Sequence, residues 1–149
     1  MGQANSREIF VANVHPSIEV DQSRVRRVAS AVLRKESRGG GGVNIVLATD
    51  TDLTDLNSRF RGLARPTDVL SFQMGGDKHI APEERVIGEV YVSLDRAQQQ
   101  AREYKVHLAE EVDRLVIHGL LHLCGYDHED VDDTQLMKTK EVDFLETLR

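Results

Sequence analysis

Residues 118–128 read His-Gly-Leu-Leu-His-Leu-Cys-Gly-Tyr-Asp-His and hold three histidines. Residues four apart on a helix share one face, so His118 and His122 can direct two ring nitrogens at one ion. Gly125 can adopt the left-handed conformation that ends a helix, which turns the chain and brings His128 towards the same point. Three imidazoles with one open position are typical of a catalytic zinc, whereas structural zinc usually has four protein ligands. The stretch therefore predicts an open metal site.

The helix that carries the first two histidines is predicted to be buried. Between Val112 and Cys124 its apolar side chains point in nearly every direction except the sector of the histidines. A helix that is apolar all round lies in a core, where a polar group without a partner costs about 1–3 kcal/mol. Core histidines bonded to backbone are the alternative for each residue alone, but three imidazoles at these offsets favour a metal. Cys124, the single cysteine, faces away from that sector and is expected to be a small core residue.

Length and composition indicate one soluble globular domain over residues 1–149. No apolar run approaches the roughly 20 residues that cross a bilayer, and the N-terminus lacks a signal-peptide pattern. A cytoplasmic location and no membrane partner are therefore expected. Residues 1–76 contain 10 Lys and Arg against 8 Asp and Glu, whereas residues 77–149 contain 9 against 17. Because an acidic chain binds nucleic acid poorly without a local basic patch, a polyanionic substrate must meet such a patch.

Hydrophobic periodicity predicts four strands and about five helices in one layered domain, with the histidine helix against the sheet. The predicted strands lie at 9–14, 43–48, 69–72 and 86–92. The predicted helices run from about 21 to 38, from about 50 to near 62, from 94 to about 105, from about 108 through the histidines, and from about 133 onwards. Asp50 or Thr51 is expected to cap the second helix. Gly88 is expected to mark a bulge or a close backbone approach.

The histidine stretch has the pattern His-Gly-x-x-His-x-x-Gly-x-Asp-His, which resembles the signature of the YbeY family, bacterial and organellar metal-dependent endoribonucleases. Residues 56–62, Leu-Asn-x-x-Phe-Arg-Gly, and 66–72, Pro-Thr-Asp-Val-Leu-Ser-Phe, resemble a second block of that family. The strand around Gly88 resembles a third block, and Met137 with Glu141 fits the last. The resemblance covers most of the chain from about residue 50.

Two residues depart from the family pattern. Gln73 stands where the family commonly has proline after Ser-Phe, and Glu89 stands where aspartate usually follows the glycine of the fourth strand. Both keep the polarity of their positions and leave the three histidines untouched. They bear on the details of the groove rather than on the reaction.

The resemblance implies a zincin-like α+β fold with a four-stranded mixed sheet, about five helices and a buried histidine helix. It implies one zinc, or another divalent transition metal, held by His118, His122 and His128. It also implies single-stranded RNA as substrate, with roles in small-subunit ribosomal RNA maturation and in removing defective ribosomes, so ribosomal particles or their proteins are expected partners. The functional arginine of the family falls on Arg61, which the sequence alone marks only as a surface charge. Arg61 is therefore expected to contact the scissile phosphate and neutralise its developing charge.

Two alternatives from other functional classes stay open. The His-x-x-x-His helix also suggests a zinc hydrolase of a peptide or amide. In such zinc peptidases the general base follows the first histidine, but here that position is Gly119, which has no side chain. The second alternative is a non-catalytic ribosome-binding assembly factor in which the metal only stabilises the fold. For the endoribonuclease, the sequence does not name a general base.

Overall fold

The structure is a computed structural model that describes residues 8–37, 41–74, 86–126 and 130–148. Its strands are β1 Ile9–Asn13, β2 Gly42–Ala48, β3 Val69–Gln73 and β4 Val86–Ser93. Its helices are α1 Gln22–Glu36, α2 Asp50–Arg61, α3 Leu94–Tyr104, α4 Leu108–Leu123 and α5 Val131–Leu148. Each predicted element is present with small differences at its ends.

The strands form one mixed sheet in the order β1-β2-β4-β3. β1 and β4 both pair parallel with β2, and β3 pairs antiparallel with β4. The parallel connections require helical crossovers, which α1 and the segment from α2 to β4 supply. The predicted α+β class, with a four-stranded mixed sheet and five helices, is confirmed.

Alternating residues of the two central strands separate the interior into two cores. Ile45 and Val90 belong to the main core, which also contains residues of α1, α4 and α5. Val46 and Tyr91 face the other side and pack against a smaller core that includes Leu53 of α2. The sheet is thus covered on both faces, with α4 on one face and α2 on the other.

The main core also takes up the apolar surface of the histidine helix. The buried residues of α4 run from Glu111 to Leu123, and Cys124 is half-buried and packs against the same core, as predicted.

No helix within the described ranges has both the length and the hydrophobicity that crossing a membrane requires.

An ion pair ties α4 to α1. The Asp113 carboxylate accepts from Arg24 Nη2 at 2.7 Å and from Arg24 Nε at 3.1 Å. Burial raises the pKa of Asp113, and the hydrogen bonds from Arg24 act in the opposite direction. Only the carboxylate is buried, and removing Arg24 would leave its charge uncompensated, so this contact stabilises the packing of α4 against α1.

The second half of α4 approaches the sheet closely at Gly119. A Cβ atom at this position would lie 2.6 Å from Val90 Cγ1 and 3.2 Å from Ser71 Oγ. The Ser71 hydroxyl donates to the Gly119 carbonyl oxygen at 2.8 Å, which fixes the helix against β3. Only a residue without a side chain fits here. The close packing of Gly119 therefore holds its neighbours His118 and His122 beside β3.

Gly88 marks both features that the sequence predicts. A Cβ atom there would lie 2.6 Å from the Phe72 carbonyl oxygen and 2.6 Å from Leu123 Cδ2. The pairing of β4 with β2 also shifts by one residue between Val86 and Gly88. The close approach of strand and helix is therefore confirmed, together with a bulge.

The start of α2 corrects the predicted cap. Thr49 is the N-cap rather than Asp50 or Thr51, because its hydroxyl accepts from the Asp52 N–H at 3.0 Å. The Asp52 carboxylate accepts in turn from the Thr49 N–H at 3.2 Å, which completes a capping box. The Asp50 carboxylate instead accepts from Arg96 Nε at 3.1 Å. The predicted N-cap was wrong because the Asp50 side chain forms an ion pair with Arg96 of α3 instead of capping α2.

Candidate functional site

His118 and His122 lie side by side on the exposed edge of α4. Their ring centroids are 5.1 Å apart with an interplanar angle of 70°. Both rings line an open groove of about 870 Å³. Both are half-buried, and the side chain of His118 is 25% exposed, whereas the flanking residues of α4 are buried. The two imidazoles share one face of the helix, as their spacing predicts, and the structure places that face at the boundary between core and groove.

The helix ends as the glycine predicts. Gly125 has a φ of 101°, and its N–H donates to the His122 carbonyl oxygen at 3.1 Å. The Tyr126 N–H donates to the Leu121 carbonyl oxygen at 3.0 Å, so the two bonds form a Schellman motif. The chain therefore turns away immediately after the second histidine.

A hydrogen-bonded cluster fixes that turn against α1 and α5. The Tyr126 hydroxyl donates to Glu36 Oε1 at 2.6 Å, and Lys140 Nζ donates to Glu36 Oε2 at 3.2 Å. Burial alone would raise the pKa of Glu36, but these two hydrogen bonds lower it below its ordinary value. An ionised Glu36 thus anchors Tyr126, the last described residue before the third histidine.

The third predicted ligand, His128, lies outside the described residues. Within the ranges that the structure describes, no three His, Cys, Asp or Glu side chains are grouped so as to hold a metal. The two described imidazoles would thus need at least one further ligand. A three-histidine set that includes His128 stays a prediction.

Glu141 of α5 orients the first histidine. Its carboxylate oxygen Oε2 lies 3.0 Å from His118 Nδ1, and the residue is 7% exposed. A carboxylate can only accept, so Nδ1 carries the proton and the lone pair of the neutral ring is on Nε2. Metal-ligating histidines almost always make such a bond with their second nitrogen. The arrangement therefore fits a metal ligand at His118.

Arg114 extends this contact into the core. Its Nη1 lies 3.7 Å from Glu141 Oε1, while Nε and Nη2 donate to the two oxygens of the buried Glu111 at 2.8 and 2.6 Å. The hydrogen bonds to Glu111 raise the pKa of Arg114. Arg114 thus stays charged and partly compensates two buried carboxylates, which keeps Glu141 in position beside His118.

Sequence reasoning alone assigns Glu141 no role at the site. The acidic run at 129–133 is closer to the histidines in sequence, but within it the Asp130 carboxylate accepts from the Asp133 N–H at 2.8 Å at the start of α5. The available signal was the position of Glu141 between the buried Met137 and Phe144, on the apolar face of its helix. A glutamate on such a face needs a partner.

Arg61 lines the same groove from α2, which covers the other face of the sheet. It lies in the last turn of α2, is exposed, and lines the groove together with His118 and His122. Its Nη2 donates to the Ser71 carbonyl oxygen at 3.2 Å, and its guanidinium lies 5.8 Å from the centroid of the Phe72 ring. The structure therefore brings the predicted arginine and two of the predicted histidines to one groove.

The loop after α2 is held by a buried amide. Asn57 is 3% exposed, and its side-chain nitrogen donates to the Arg65 carbonyl oxygen at 3.0 Å. Gly62 ends α2 with a φ of 68°. The Leu63 N–H then donates to the Asn57 carbonyl oxygen at 3.2 Å. These contacts fold residues 62–65 back onto the helix and add Arg65 to the groove wall. Arg61 and Arg65 thus both line the groove of an acidic protein, and Asp68 lines it as well.

The two departures from the family pattern lie on different faces of the sheet. Gln73 lines the groove, and its side-chain nitrogen approaches the Leu123 carbonyl oxygen at 3.4 Å, near the end of α4. Glu89 accepts from Tyr91 Oη at 3.2 Å and from Asn44 Nδ2 at 3.3 Å, on the face covered by α2. Of the two residues that differ from the family pattern, Gln73 is therefore the one whose side chain contributes to the lining of the groove.

The packing of Gly119 argues against the peptidase alternative. A glutamate at this position would point into Val90, Val69 and Ser71 of the sheet, because even a Cβ atom there lies within 3.2 Å of all three side chains. In the His-Glu-x-x-His enzymes this position carries the glutamate that acts as general base. Here the position has no side chain, and the helix packing leaves no space for one.

Comparisons with known proteins agree along most of the chain. A family model described as Endoribonuclease YbeY matches residues 10–149. The chain is 37% identical over 143 residues to the Endoribonuclease YbeY of Pelotomaculum thermopropionicum, covering 92% of this chain and 94% of the relative. It is 42% identical over 134 residues to that of Chloroflexus aggregans, covering 86% and 88%.

A solved structure has a similar fold. The solution structure of TM1509 from Thermotoga maritima is 29% identical and superposes with a TM-score of 0.64. The match covers 95% of this chain and 89% of that chain. The similarity thus includes the sheet and the helices that line the groove.

Proposed function

This chain belongs to the YbeY family of endoribonucleases, and from that premise we propose that it cuts single-stranded RNA at a three-histidine zinc site. The proposed metal ligands are His118, His122 and His128. The proposed phosphate-directed residue is Arg61. Family membership makes the chain a hydrolase of RNA phosphodiester bonds.

One observation carries the proposal for the site. His118 and His122 line the same groove as Arg61, with the imidazoles on α4 and the guanidinium at the end of α2. A phosphodiester that enters this groove meets nitrogen ligands on one wall and a planar cation on the other. That combination suits phosphoryl transfer, in which negative charge spreads over the nonbridging oxygens.

The residues of the chain have separate tasks in this mechanism. A zinc held by the three histidines would supply a water with its pKa lowered towards about 7 and a Lewis acid for a phosphoryl oxygen. Glu141 holds the Nδ1 proton of His118 and thereby directs the Nε2 lone pair away from α5. The Arg61 guanidinium donates to the nonbridging phosphate oxygens, where its fork geometry allows two parallel hydrogen bonds.

We further propose that the cellular substrate is precursor RNA of the small ribosomal subunit and that the protein also acts on defective ribosomes in the cytoplasm. Support comes from family membership and from the charge distribution. The chain has a formal net charge of −6, whereas Arg61 and Arg65 gather at the groove. RNA is then attracted to the groove, and the acidic remainder suits contacts with basic ribosomal proteins.

Metal removal tests the proposed mechanism. We expect the purified protein to hold about one zinc per chain and to cut an unpaired RNA oligonucleotide while sparing the same sequence in a duplex. Chelation should abolish cleavage, and added zinc should restore it. Metal analysis, a gel cleavage assay and circular dichroism on the same samples separate loss of chemistry from loss of folding. Undiminished cleavage by folded, metal-free protein would contradict the zinc mechanism.

A substitution at Glu141 tests the orientation of His118. Glu141→Gln keeps the size of the side chain but weakens the acceptor for the Nδ1 proton, and such changes typically reduce metal affinity about 10- to 100-fold. We expect zinc affinity, measured by competition with a chromogenic chelator, to fall in that range. Glu146→Gln, an exposed change on the same helix, is the matched control. Unchanged affinity in Glu141→Gln would show that Glu141 does not orient a ligand.

A further inference from the structure

An exposed aromatic side chain adjoins the arginine wall of the groove. Phe60 is 63% exposed, the highest exposure of any aromatic side chain among the large exposed hydrophobics of the described chain. It precedes Arg61 in the last turn of α2. Leaving so much aromatic surface in water costs free energy that burial against a partner would recover. Its position beside the proposed phosphate site suggests what that partner is.

An edge-to-face contact with a neighbouring aromatic ring supports Phe60. Its ring meets the Phe72 ring edge-to-face, with centroids 5.5 Å apart and an interplanar angle of 64°. Phe72 meets Tyr91 in the same manner at 5.9 Å. The row thus runs from the smaller core to the surface and ends at Phe60. A ring supported in this way loses little further freedom when a flat ligand stacks on it.

Two guanidinium groups lie beside this row. Arg59 lies 5.5 Å from the Phe60 centroid, and Arg61 lies 5.8 Å from the Phe72 centroid. Phe72 itself lines the groove that contains the histidines. Aromatic rings interleaved with arginines are the arrangement by which proteins bind single-stranded nucleic acid, because bases stack on the rings and phosphates pair with the cations.

We propose that Phe60, supported by Phe72, is a stacking platform for one unpaired base next to the scissile phosphate. The inference rests on the proposed function in taking unpaired RNA as the substrate. A base in a duplex is already stacked on its neighbours and cannot cover the ring, whereas an unpaired base can. The platform therefore gives a physical origin for single-strand preference, in addition to the charge of Arg61 and Arg65. It selects for the presence of a base rather than for its identity, because every base has an aromatic face.

The test removes the ring and the base separately. The protein variants are Phe60→Leu, Phe60→Tyr, which keeps a ring, and Phe10→Leu. Phe10 is 55% exposed on β1, at the opposite edge of the sheet, and so gives the same chemical change away from the groove. The RNA is a single-stranded oligonucleotide with one cleavage site, in which a single abasic nucleotide is moved stepwise along both sides of that site. Dissociation constants are measured with uncleavable RNA, and KM and kcat with cleavable RNA.

For the wild type, one abasic position next to the cut should raise Kd and KM about 5- to 100-fold, the usual effect of losing one stacked base. Phe60→Leu should bind intact RNA as weakly as the wild type binds that abasic RNA, with no further loss on the abasic substrate. Phe60→Tyr, which keeps a ring, should retain the abasic effect, whereas Phe10→Leu should behave as the wild type. Thermal melting checks that Phe60→Leu is folded, as its exposure predicts.

Two results would overturn the platform: a wild type that is insensitive to abasic substitution at every position, or a Phe60→Leu variant that retains the full abasic effect. Failure of the proposed function is read separately, from the cleavage assay. A wild-type protein that binds RNA and discriminates abasic sites, yet cuts without metal, would overturn the zinc mechanism and leave the platform standing.

Discussion

Replacement of His122 by alanine should remove both the bound metal and RNA cleavage. His122 and His118 are the two described imidazoles on the groove face of α4, with ring centroids 5.1 Å apart. Losing one of three proposed ligands leaves too few protein ligands for a tetrahedral zinc with an open position. Zinc should fall from about one per chain to near zero. Because the metal contributes several kcal/mol, cleavage should fall by at least about 10³-fold.

The control for this prediction is another histidine on the same helix. His107 is the exposed N-cap residue of α4 and makes no side-chain capping bond, so His107→Ala should leave metal content and cleavage unchanged. Zinc per chain is measured by metal analysis after gel filtration, and cleavage is measured on the same fractions. An inactive His122→Ala protein that still carries its full zinc would show that His122 acts in another way than as a ligand.

The local features of the histidine helix could be predicted from the sequence. Apolar residues around the helix fixed its burial, the four-residue spacing placed His118 and His122 on one face, and Gly125 fixed the end. Each of these properties depends on residues less than three turns apart. The helix lengths and strand positions were predictable for the same reason, since periodicity is a local property.

Contacts between distant segments were not predictable. Glu141 reaches His118 across 23 positions, and Arg24 reaches Asp113 across 89. The predicted cap of α2 was wrong for the same reason, because Asp50 is taken up by Arg96 from another helix. Sequence patterns reveal that a charged residue lies on an apolar face, but only the fold decides which partner it meets.

Arg61 shows where resemblance added information that sequence physics lacked. An arginine in the last turn of a helix is favourable for the helix dipole alone, so composition gives no reason to assign it a function. The fold supplies a reason, because Arg61 lines the same groove as His118 and His122, and its Nη2 donates to the Ser71 carbonyl oxygen at 3.2 Å. The assignment of Arg61 to the scissile phosphate stays a proposal that one variant can test.

Arg61→Ala should keep the metal and lose cleavage. The side chain is exposed and donates a hydrogen bond to the Ser71 carbonyl oxygen, so stability should change by only about 1 kcal/mol. If the guanidinium stabilises charge that develops in the transition state, kcat should fall about 10²- to 10³-fold, as when a single preorganised donor is removed. Zinc content and the melting temperature should stay close to those of the wild type.

A matched pair of variants separates this role from a general effect of positive charge. Arg102 occupies the last turn of α3 and is exposed, so Arg102→Ala removes the same charge from an equivalent helix position and should leave kcat unchanged. Arg61→Lys keeps the charge but loses the planar fork, and should recover only part of the lost rate. A full recovery by lysine would mean that Arg61 attracts RNA electrostatically without bidentate contact. Normal cleavage by zinc-loaded Arg61→Ala would remove Arg61 from the mechanism and leave the histidine site to account for the chemistry alone.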